Sequence, residues 1–169
     1  MNHSVCFIGH RKINDTPDLR ERVQGILVEL IEGGTVTFIF GDHSVFDSLC
    51  YELVTELKEK HPEIKRIHYR INYEEPDEYT AQYLTAGYEE SICPPGVGRA
   101  GRAGYTERNR AMIRESDICV FYYDTAYLPA RRKHSRRDSS DYQPSSGTAL
   151  AFHYAQNLKK PVINCFDCG

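Results

Sequence analysis

The sequence predicts an α/β fold of the Rossmann-like type, a three-layer sandwich built on a five-stranded parallel sheet. Short apolar runs alternate along the chain with stretches in which apolar residues recur every three or four positions, the pattern of amphipathic helices. Strands that alternate with helices need parallel crossovers, and right-handed crossovers place helices on both faces of one sheet. With the strands numbered in chain order, we expect the order 3-2-1-4-5. The 169 residues suit one domain, which we assign to residues 1–169.

Local signals mark where the predicted elements begin and end. Thr16 and Pro17 open the first helical pattern and Gly33 ends it, while Gly9 and Gly41 close the first two apolar runs. The predicted strands cover residues 5–8, 36–40, 64–69, 118–123 and 161–165. The predicted helices cover residues 17–32, about 46–57, about 104–116 and 146–158.

An insertion at about residues 71–103 interrupts this alternation. Its segment between Ile71 and Gly98 contains several tyrosines and no lysine or arginine. It also contains six acidic residues, namely Glu74, Glu75, Asp77, Glu78, Glu89 and Glu90. We expect a partly helical, acidic and tyrosine-rich insertion that lies over the strand ends.

The composition and charge exclude several classes of protein. A net charge of −3 gives no general attraction to nucleic acid or to an anionic membrane, so we expect neither as a partner. No apolar run is long enough to cross a bilayer and the first residues lack the layout of a signal peptide, so we expect a cytoplasmic protein.

Cys165 and Cys168 form the one C-x-x-C pair, without the further ligands that a structural zinc requires. We therefore expect no metal. No G-x-G-x-x-G follows a predicted strand, and we expect no cofactor.

The candidate ligand site lies at the carboxyl ends of the strands, where open parallel sheets bind their ligands. Ser146, Gly147 and Thr148 open the last helix, whose unpaired N–H groups form either an anion site or an ordinary capping turn. Arg11 can pair with a phosphate, and His10 either contributes to the site or bonds to a neighbouring backbone group. The other candidates near the strand ends are Gly9, Gly41, Asp47, Tyr122 and Asp124.

Residues 131–137 form a concentrated basic run in the long loop after the fourth predicted strand. The run is either a solvated surface loop or a lid that reaches over phosphates. Because like charges repel unless an anion or an acidic surface neutralises them, the acidic insertion of a second copy is a candidate partner. We therefore expect a homo-oligomer.

Four segments together resemble the YpsA-like branch of the SLOG superfamily. They are residues 5–11, Phe46-Asp47, Arg108-Asn109-Arg110-Ala111-Met112 and Ser146-Gly147-Thr148. The resemblance extends over nearly the whole chain outside the insertion. It implies a Rossmann-like domain that binds a nucleotide or a nucleotide-derived signal. The relatives with known chemistry are the LOG-type phosphoribohydrolases, which release a base from a nucleoside monophosphate.

The resemblance implies roles for individual residues. Arg108 and Met112 match the helix pattern of the LOG family, whereas Ala151 stands where that family has its catalytic Glu. We therefore expect binding of an ADP-ribose-like ligand without turnover, with Arg11 and Arg108 on phosphate and Phe46 or Tyr122 stacked on the base or ribose.

Two further functions stay open. One is a nucleotide hydrolase of the phosphoribohydrolase type, in which Asp47 or Asp124 acts as acid, base or water-positioning group. The other is a DNA-processing accessory, by analogy with other SLOG members, for which the basic run is the supporting feature.

Overall fold

The structure is a computed structural model that describes residues 2–41, 44–72 and 77–166. Glu74, Glu75 and Cys168, which entered the expectations above, lie outside the described residues. The strands are β1 (His3–Gly9), β2 (Thr35–Phe40), β3 (Lys65–Tyr69), β4 (Glu90–Ile92), β5 (Ile118–Tyr122), β6 (Arg132–Lys133), β7 (Asp141–Tyr142) and β8 (Val162–Asn164). The helices are α1 (Pro17–Glu32), α2 (Val45–Lys58), α3 (Glu78–Gly87), α4 (Gly104–Glu115) and α5 (Gly147–Asn157).

Six parallel strands form the main sheet in the order β4-β3-β2-β1-β5-β8. The expected α/β three-layer architecture with a parallel sheet is confirmed, and the five predicted strands are neighbours in the expected order. The expected number of strands is wrong, because β4 adds a sixth at the edge beside β3, with Ile67 opposite Glu90 and Tyr69 opposite Ile92. β4 has only three residues and no apolar run, so it carries no sequence signal for a strand.

The central strand β1 is buried on both faces, which accounts for its unbroken apolar run. Val5 and Phe7 belong to the core cluster between the sheet and helices α1 and α2. Cys6 and Ile8 belong to a second cluster, between the sheet and helices α4 and α5. Alternating side chains of one strand therefore hold both outer layers of the sandwich.

Four helices begin at residues whose side chains cap them, and at α3 the cap is Asp77, whose carboxylate accepts the N–H of Thr80 at 2.8 Å. The hydroxyls of Thr16, Ser44 and Ser146 accept hydrogen bonds from backbone N–H groups in the first turns of α1, α2 and α5. α2 and α5 begin just beyond the carboxyl edge of the sheet, and their N-termini reach the site described below.

The insertion supplies α3 and β4. α3 lies next to α2, where the Tyr51 hydroxyl donates a 2.6 Å hydrogen bond to the carbonyl of Gly87 at the end of α3. Beneath it, Arg66 of β3 pairs with Glu89, with 2.9 Å between Nη2 and Oε1. The insertion is thus attached to the edge of the sheet through strand pairing and a partly exposed ion pair.

Candidate functional site

A crevice opens at the carboxyl ends of β1 and β5 and encloses about 210 Å³. The loop after β1, the first turns of α2 and α5, one face of α4 and the loop after β5 form its walls. The lining residues are Gly9, His10, Arg11, Ser44, Tyr105, Arg108, Asn109, Tyr127, Ser146, Gly147 and Thr148. The structure therefore brings together seven residues expected at the site, namely Gly9, His10, Arg11, Arg108, Ser146, Gly147 and Thr148.

Gly9 allows the crevice floor to pack closely. A Cβ atom at this position would lie 2.6 Å from the Cβ and ring of Phe46, so only glycine fits. Phe46 is fully buried and also packs against Tyr122, with 5.7 Å between ring centroids. The expectation that Phe46 stacks on a ligand is therefore not met by this geometry. Its ring supports the floor from within the core.

His10 is a neutral, backbone-bound histidine at the wall of the crevice. Burial lowers its pKa, and its Nε2 accepts a 3.0 Å hydrogen bond from the backbone N–H of Asp124. An accepting Nε2 places the ring proton on Nδ1. The Tyr127 ring packs on the imidazole, with 4.4 Å between centroids. The backbone role considered for His10 is thus present, and the residue also lines the crevice.

Arg108 is the buried cation of the site. Its side chain is 6% exposed and lies against Gly41, where an added Cβ would be 2.7 Å from Nη2. The guanidinium also lies 5.3 Å from the ring centroid of Tyr105, and Nη2 donates to Asn109 Oδ1 at 3.4 Å. Gly41 does not line the crevice itself. Its lack of a side chain leaves room for the arginine that does.

Arg11 and the N-terminus of α5 complete the electropositive lining. Arg11 is exposed, and its carbonyl accepts the N–H of Val45 at 3.0 Å, which fixes the loop against the start of α2. Ser146 caps α5 through a 3.0 Å bond from Ala149 N–H to its Oγ, so the capping turn is real. Gly147 and Thr148 follow it, and the backbone N–H groups of a first helical turn have no acceptor within the helix. Both interpretations of this segment are therefore compatible with the geometry.

Several expected site residues lie outside the crevice lining. Met112 is buried in the core, and Tyr122 packs between Phe46 and Phe166. Asp47 is buried at the start of α2, where its Oδ1 accepts the N–H of Gly41 at 3.2 Å. Asp124 uses its carboxylate to accept the N–H of Ala126 at 2.8 Å.

Ala151 also lies away from the crevice lining. It is buried among residues of α4 and α5 in the second core cluster. The position expected for a catalytic carboxylate is thus occupied by a core methyl group.

Four lining residues were not expected: Ser44, Tyr105, Asn109 and Tyr127. A signal for Tyr105 existed, because residues three apart on a helix share a face and Arg108 was already a candidate. Ser44 carries a recognisable capping signal before α2. Tyr127 lies in an irregular loop, and no local pattern indicates that its ring packs on His10.

The basic run forms part of a small hairpin. β6 and β7 pair antiparallel, and His134 stacks on Tyr142 with 4.7 Å between ring centroids. Arg131 Nε lies 3.6 Å from Asp141 Oδ2. Residues 131–137 are all exposed, and none of them lines the crevice. In this conformation the run is therefore a surface hairpin and not a lid.

The described part of the chain offers neither a metal site nor a membrane span. Residues 2–41, 44–72 and 77–166 contain no group of three or more His, Cys, Asp or Glu side chains placed to hold a metal ion. The helices in the same ranges include none with the length and apolar character that a membrane span requires.

Comparison with known proteins identifies a solved structure with a similar fold and no matching family. No family model matches the chain, and no curated protein is significantly similar to it. One similar solved structure is that of DNA processing protein A from Helicobacter pylori, described for its single-stranded DNA binding mode. It has 18% identity and a TM-score of 0.56, and the match covers 95% of this chain and 63% of that one. A second, the BeF3-activated receiver domain of DrrB, has 14% identity and a TM-score of 0.30, with coverage of 64% and 97%.

The first of these structures corrects one expectation. From the net charge we expected no nucleic-acid partner, yet this Rossmann-like fold occurs in a protein that binds single-stranded DNA. The expectation is overturned because net charge averages over the whole chain, whereas binding depends on local charge. Here the five cations of residues 131–137 and the six acidic residues between Ile71 and Gly98 are separate segments of the sequence whose charges cancel in the total. At this level of identity the comparison establishes the Rossmann-like fold.

Proposed function

We propose that the crevice binds the phosphate of a nucleotide-type ligand, such as an ADP-ribose derivative, and holds it without turnover. The observation that carries the proposal is the convergence of Arg11, Arg108 and the N-terminus of α5 on one crevice. Helix N-termini and arginine guanidinium groups are the two protein features that most often bind phosphate. The resemblance to the SLOG superfamily points to the same class of ligand.

The size of the crevice indicates which part of the ligand it holds. Its 210 Å³ is below the about 300–1,000 Å³ typical of sites that enclose a whole small molecule. A phosphate and part of a sugar fit inside, and the remainder extends beyond the rim. The bound unit then comes from one of two sources, a free nucleotide or one residue of a single-stranded nucleic acid.

The position of the carboxylates favours binding over hydrolysis. Among the described residues that line the crevice, none is an aspartate or a glutamate. Asp47 and Asp124 are both engaged in hydrogen bonds that hold the backbone. Cleavage of an N-glycosidic bond requires stabilisation of positive charge at the sugar, usually from a carboxylate. Within the described part of the chain, the phosphoribohydrolase alternative therefore requires a carboxylate to move into the crevice.

The basic hairpin favours a single-stranded nucleic acid as the source of the bound phosphate. Residues 131–142 contain two anions, Asp138 and Asp141, and five exposed cations, namely Arg131, Arg132, Lys133, Arg136 and Arg137. A protein that binds a chain of phosphates is expected to expose several lysine or arginine side chains besides those that hold one phosphate. DNA processing protein A supplies a precedent for single-stranded DNA on this fold.

Calorimetric titration of AMP into the wild-type protein and three variants tests the proposal. Arg11→Gln and Arg108→Gln should each weaken binding by about 1.5–3 kcal/mol, the range for hydrogen bonds to charged groups. Arg114→Gln is the matched control, because Arg114 is an exposed residue of the same helix as Arg108 and lies outside the crevice. Circular dichroism must show that each variant is folded. Unchanged affinity in both crevice variants would refute the assignment.

Two further experiments distinguish a free nucleotide from single-stranded nucleic acid as the ligand, and binding from hydrolysis. An oligonucleotide that binds more tightly than AMP, and loses that advantage in an Arg136→Gln, Arg137→Gln double variant, identifies single-stranded nucleic acid as the source. Equal affinities identify the free nucleotide. Chromatography of the AMP mixture tests turnover, and sustained release of adenine would establish the hydrolase instead.

A further inference from the structure

A second cavity, of about 540 Å³, adjoins the crevice on the far side of Gly41. It lies between α2, the end of β3 and α3 of the insertion. We call it the aromatic cavity, since Tyr51, His68, Tyr83 and Tyr88 line it. Its volume falls within the about 300–1,000 Å³ range of small-molecule sites, unlike that of the crevice.

The rings of the aromatic cavity are held in place by packing. Tyr88 stacks on His68 with 5.1 Å between centroids and 28° between planes, and it lies 4.9 Å from Tyr51. Phe40 packs behind Tyr51 at 5.5 Å. Tyr83, on α3, is 66% exposed and adds a ring at the opening. A flat ligand group finds here a rigid aromatic wall and an accessible tyrosine.

The charge of the aromatic cavity is opposite to that of the crevice. The charged side chains among the described residues that line it are Asp47 and Glu52, and no lysine or arginine is among them. Glu52 Oε2 lies 2.9 Å from Nη2 of Arg20, and Asp47 Oδ1 accepts the N–H of Gly41. A carboxylate can accept about four hydrogen bonds, so these contacts do not exclude a further donor. Like charges repel, so the aromatic cavity disfavours a phosphate. Carboxylates accept hydrogen bonds from donor groups, such as the exocyclic amino group of a base.

The two cavities are close enough for one ligand to occupy both. Ser44 lines the crevice and Ser48 lines the aromatic cavity, and they are four residues apart at the start of α2. Four helical residues rise about 6 Å. Gly41 lines the aromatic cavity, and Arg108 of the crevice lies against it.

We infer that the aromatic cavity is the base site of the ligand whose phosphate enters the crevice, and that this base carries an exocyclic amino group, as adenine does. The inference rests on the proposed function and specifies its ligand class. The phosphate lies on Arg108, the sugar passes Gly41, and the base lies between the aromatic wall and Tyr83 with its amino group toward the carboxylates.

Comparison of AMP with ribose 5-phosphate, which lacks a base, tests the inference. The wild-type protein should bind AMP about tenfold more tightly, the gain expected from one base–aromatic stacking contact. Tyr83→Ala should remove this advantage and leave the affinity for ribose 5-phosphate unchanged. Tyr79→Ala is the matched control, because Tyr79 is 82% exposed on the same helix and does not line the aromatic cavity. Equal affinity of the wild-type protein for both probes, or no effect of Tyr83→Ala on AMP, would overturn the inference.

The amino group is tested with IMP, which has a carbonyl oxygen where AMP has the amino group. We expect IMP to bind about tenfold more weakly, because its oxygen faces the carboxylates. If IMP binds as tightly as AMP, the aromatic cavity does not recognise the amino group, and this part of the inference is refuted.

The two proposals fail in different ways. If ribose 5-phosphate does not bind but adenosine does, with loss of affinity in Tyr83→Ala, the phosphate site is wrong and the base site stands. If ribose 5-phosphate binds as tightly as AMP, the phosphate site stands and the base site is wrong. Failure of both AMP and adenosine to bind refutes the base site.

Discussion

The crevice and the aromatic cavity adjoin each other at Gly41, yet they are built from opposite chemistry. The crevice presents arginines and the N-terminus of α5, whereas the aromatic cavity presents tyrosines and carboxylates. Their supports differ too. Buried Phe46 packed against Gly9 holds the floor of the crevice, and the Arg66–Glu89 ion pair lies beneath the wall of the aromatic cavity. The contrast underlies the two proposals, which assign a phosphate to the crevice and a base to the aromatic cavity.

The largest effect we expect concerns the floor of the crevice. Gly9→Ala places a Cβ 2.6 Å from Phe46, which is fully buried and cannot move without opening the core. Overpacking of this kind should lower the free energy of unfolding by about 3 kcal/mol, measured by urea denaturation. Gly147→Ala is the control within the same crevice, since a Cβ there meets nothing within 4 Å. Equal stability of both variants would show that the floor is not tightly packed.

A smaller effect should appear beneath the aromatic cavity, as a pH dependence. Burial raises the pKa of Glu89, but hydrogen bonds from the side chain and backbone N–H of Arg66 outweigh it and bring the pKa from 4.5 to about 2. A carboxyl whose pKa is lowered by folding stabilises the protein above its unfolded pKa. That stabilisation is lost as the pH falls from about 4.5 toward 2.

A pKa difference of this size corresponds to about 3 kcal/mol, and the partial exposure of Glu89 reduces the expected contribution to about 2 kcal/mol. The measurement is the difference in unfolding free energy between wild type and Glu89→Gln, followed from pH 5 to pH 2.5. The difference should shrink as the pH falls. A difference that stays constant over this range would show that the ion pair does not couple to folding.

The smallest effect should distinguish the two cavities by their response to salt. Raising the ionic strength from about 0.01 to 0.15 M shortens the screening length from about 30 to 8 Å. Binding of ribose 5-phosphate should then weaken several-fold, because it depends on charge, whereas binding of adenosine should stay nearly constant. The same salt dependence for both probes would contradict the separation of the two cavities.

Part of this molecule could be predicted because the signals are local. The alternation of apolar runs and helical periodicity determined the parallel sheet and its central order, and capping residues marked the start of helices. Gly9, Arg11 and Ser146–Thr148 could be placed near one edge because the carboxyl ends of parallel strands share that edge. Arg108 was expected at the site only through the resemblance to the SLOG superfamily.

Tertiary structure decided the rest, because it depends on contacts between segments that are distant in the chain. Strand β4 exists through its pairing with β3, since its three residues have no strand pattern of their own. Burial in the packed fold lowers the pKa of His10, and its Nε2 accepts the N–H of Asp124, far along the sequence. The aromatic cavity likewise arises where the insertion meets α2, and its charge differs from that of the crevice because each draws its walls from different elements. Short-range patterns specify helices and strands, whereas the site depends on which side chains the packed elements bring together.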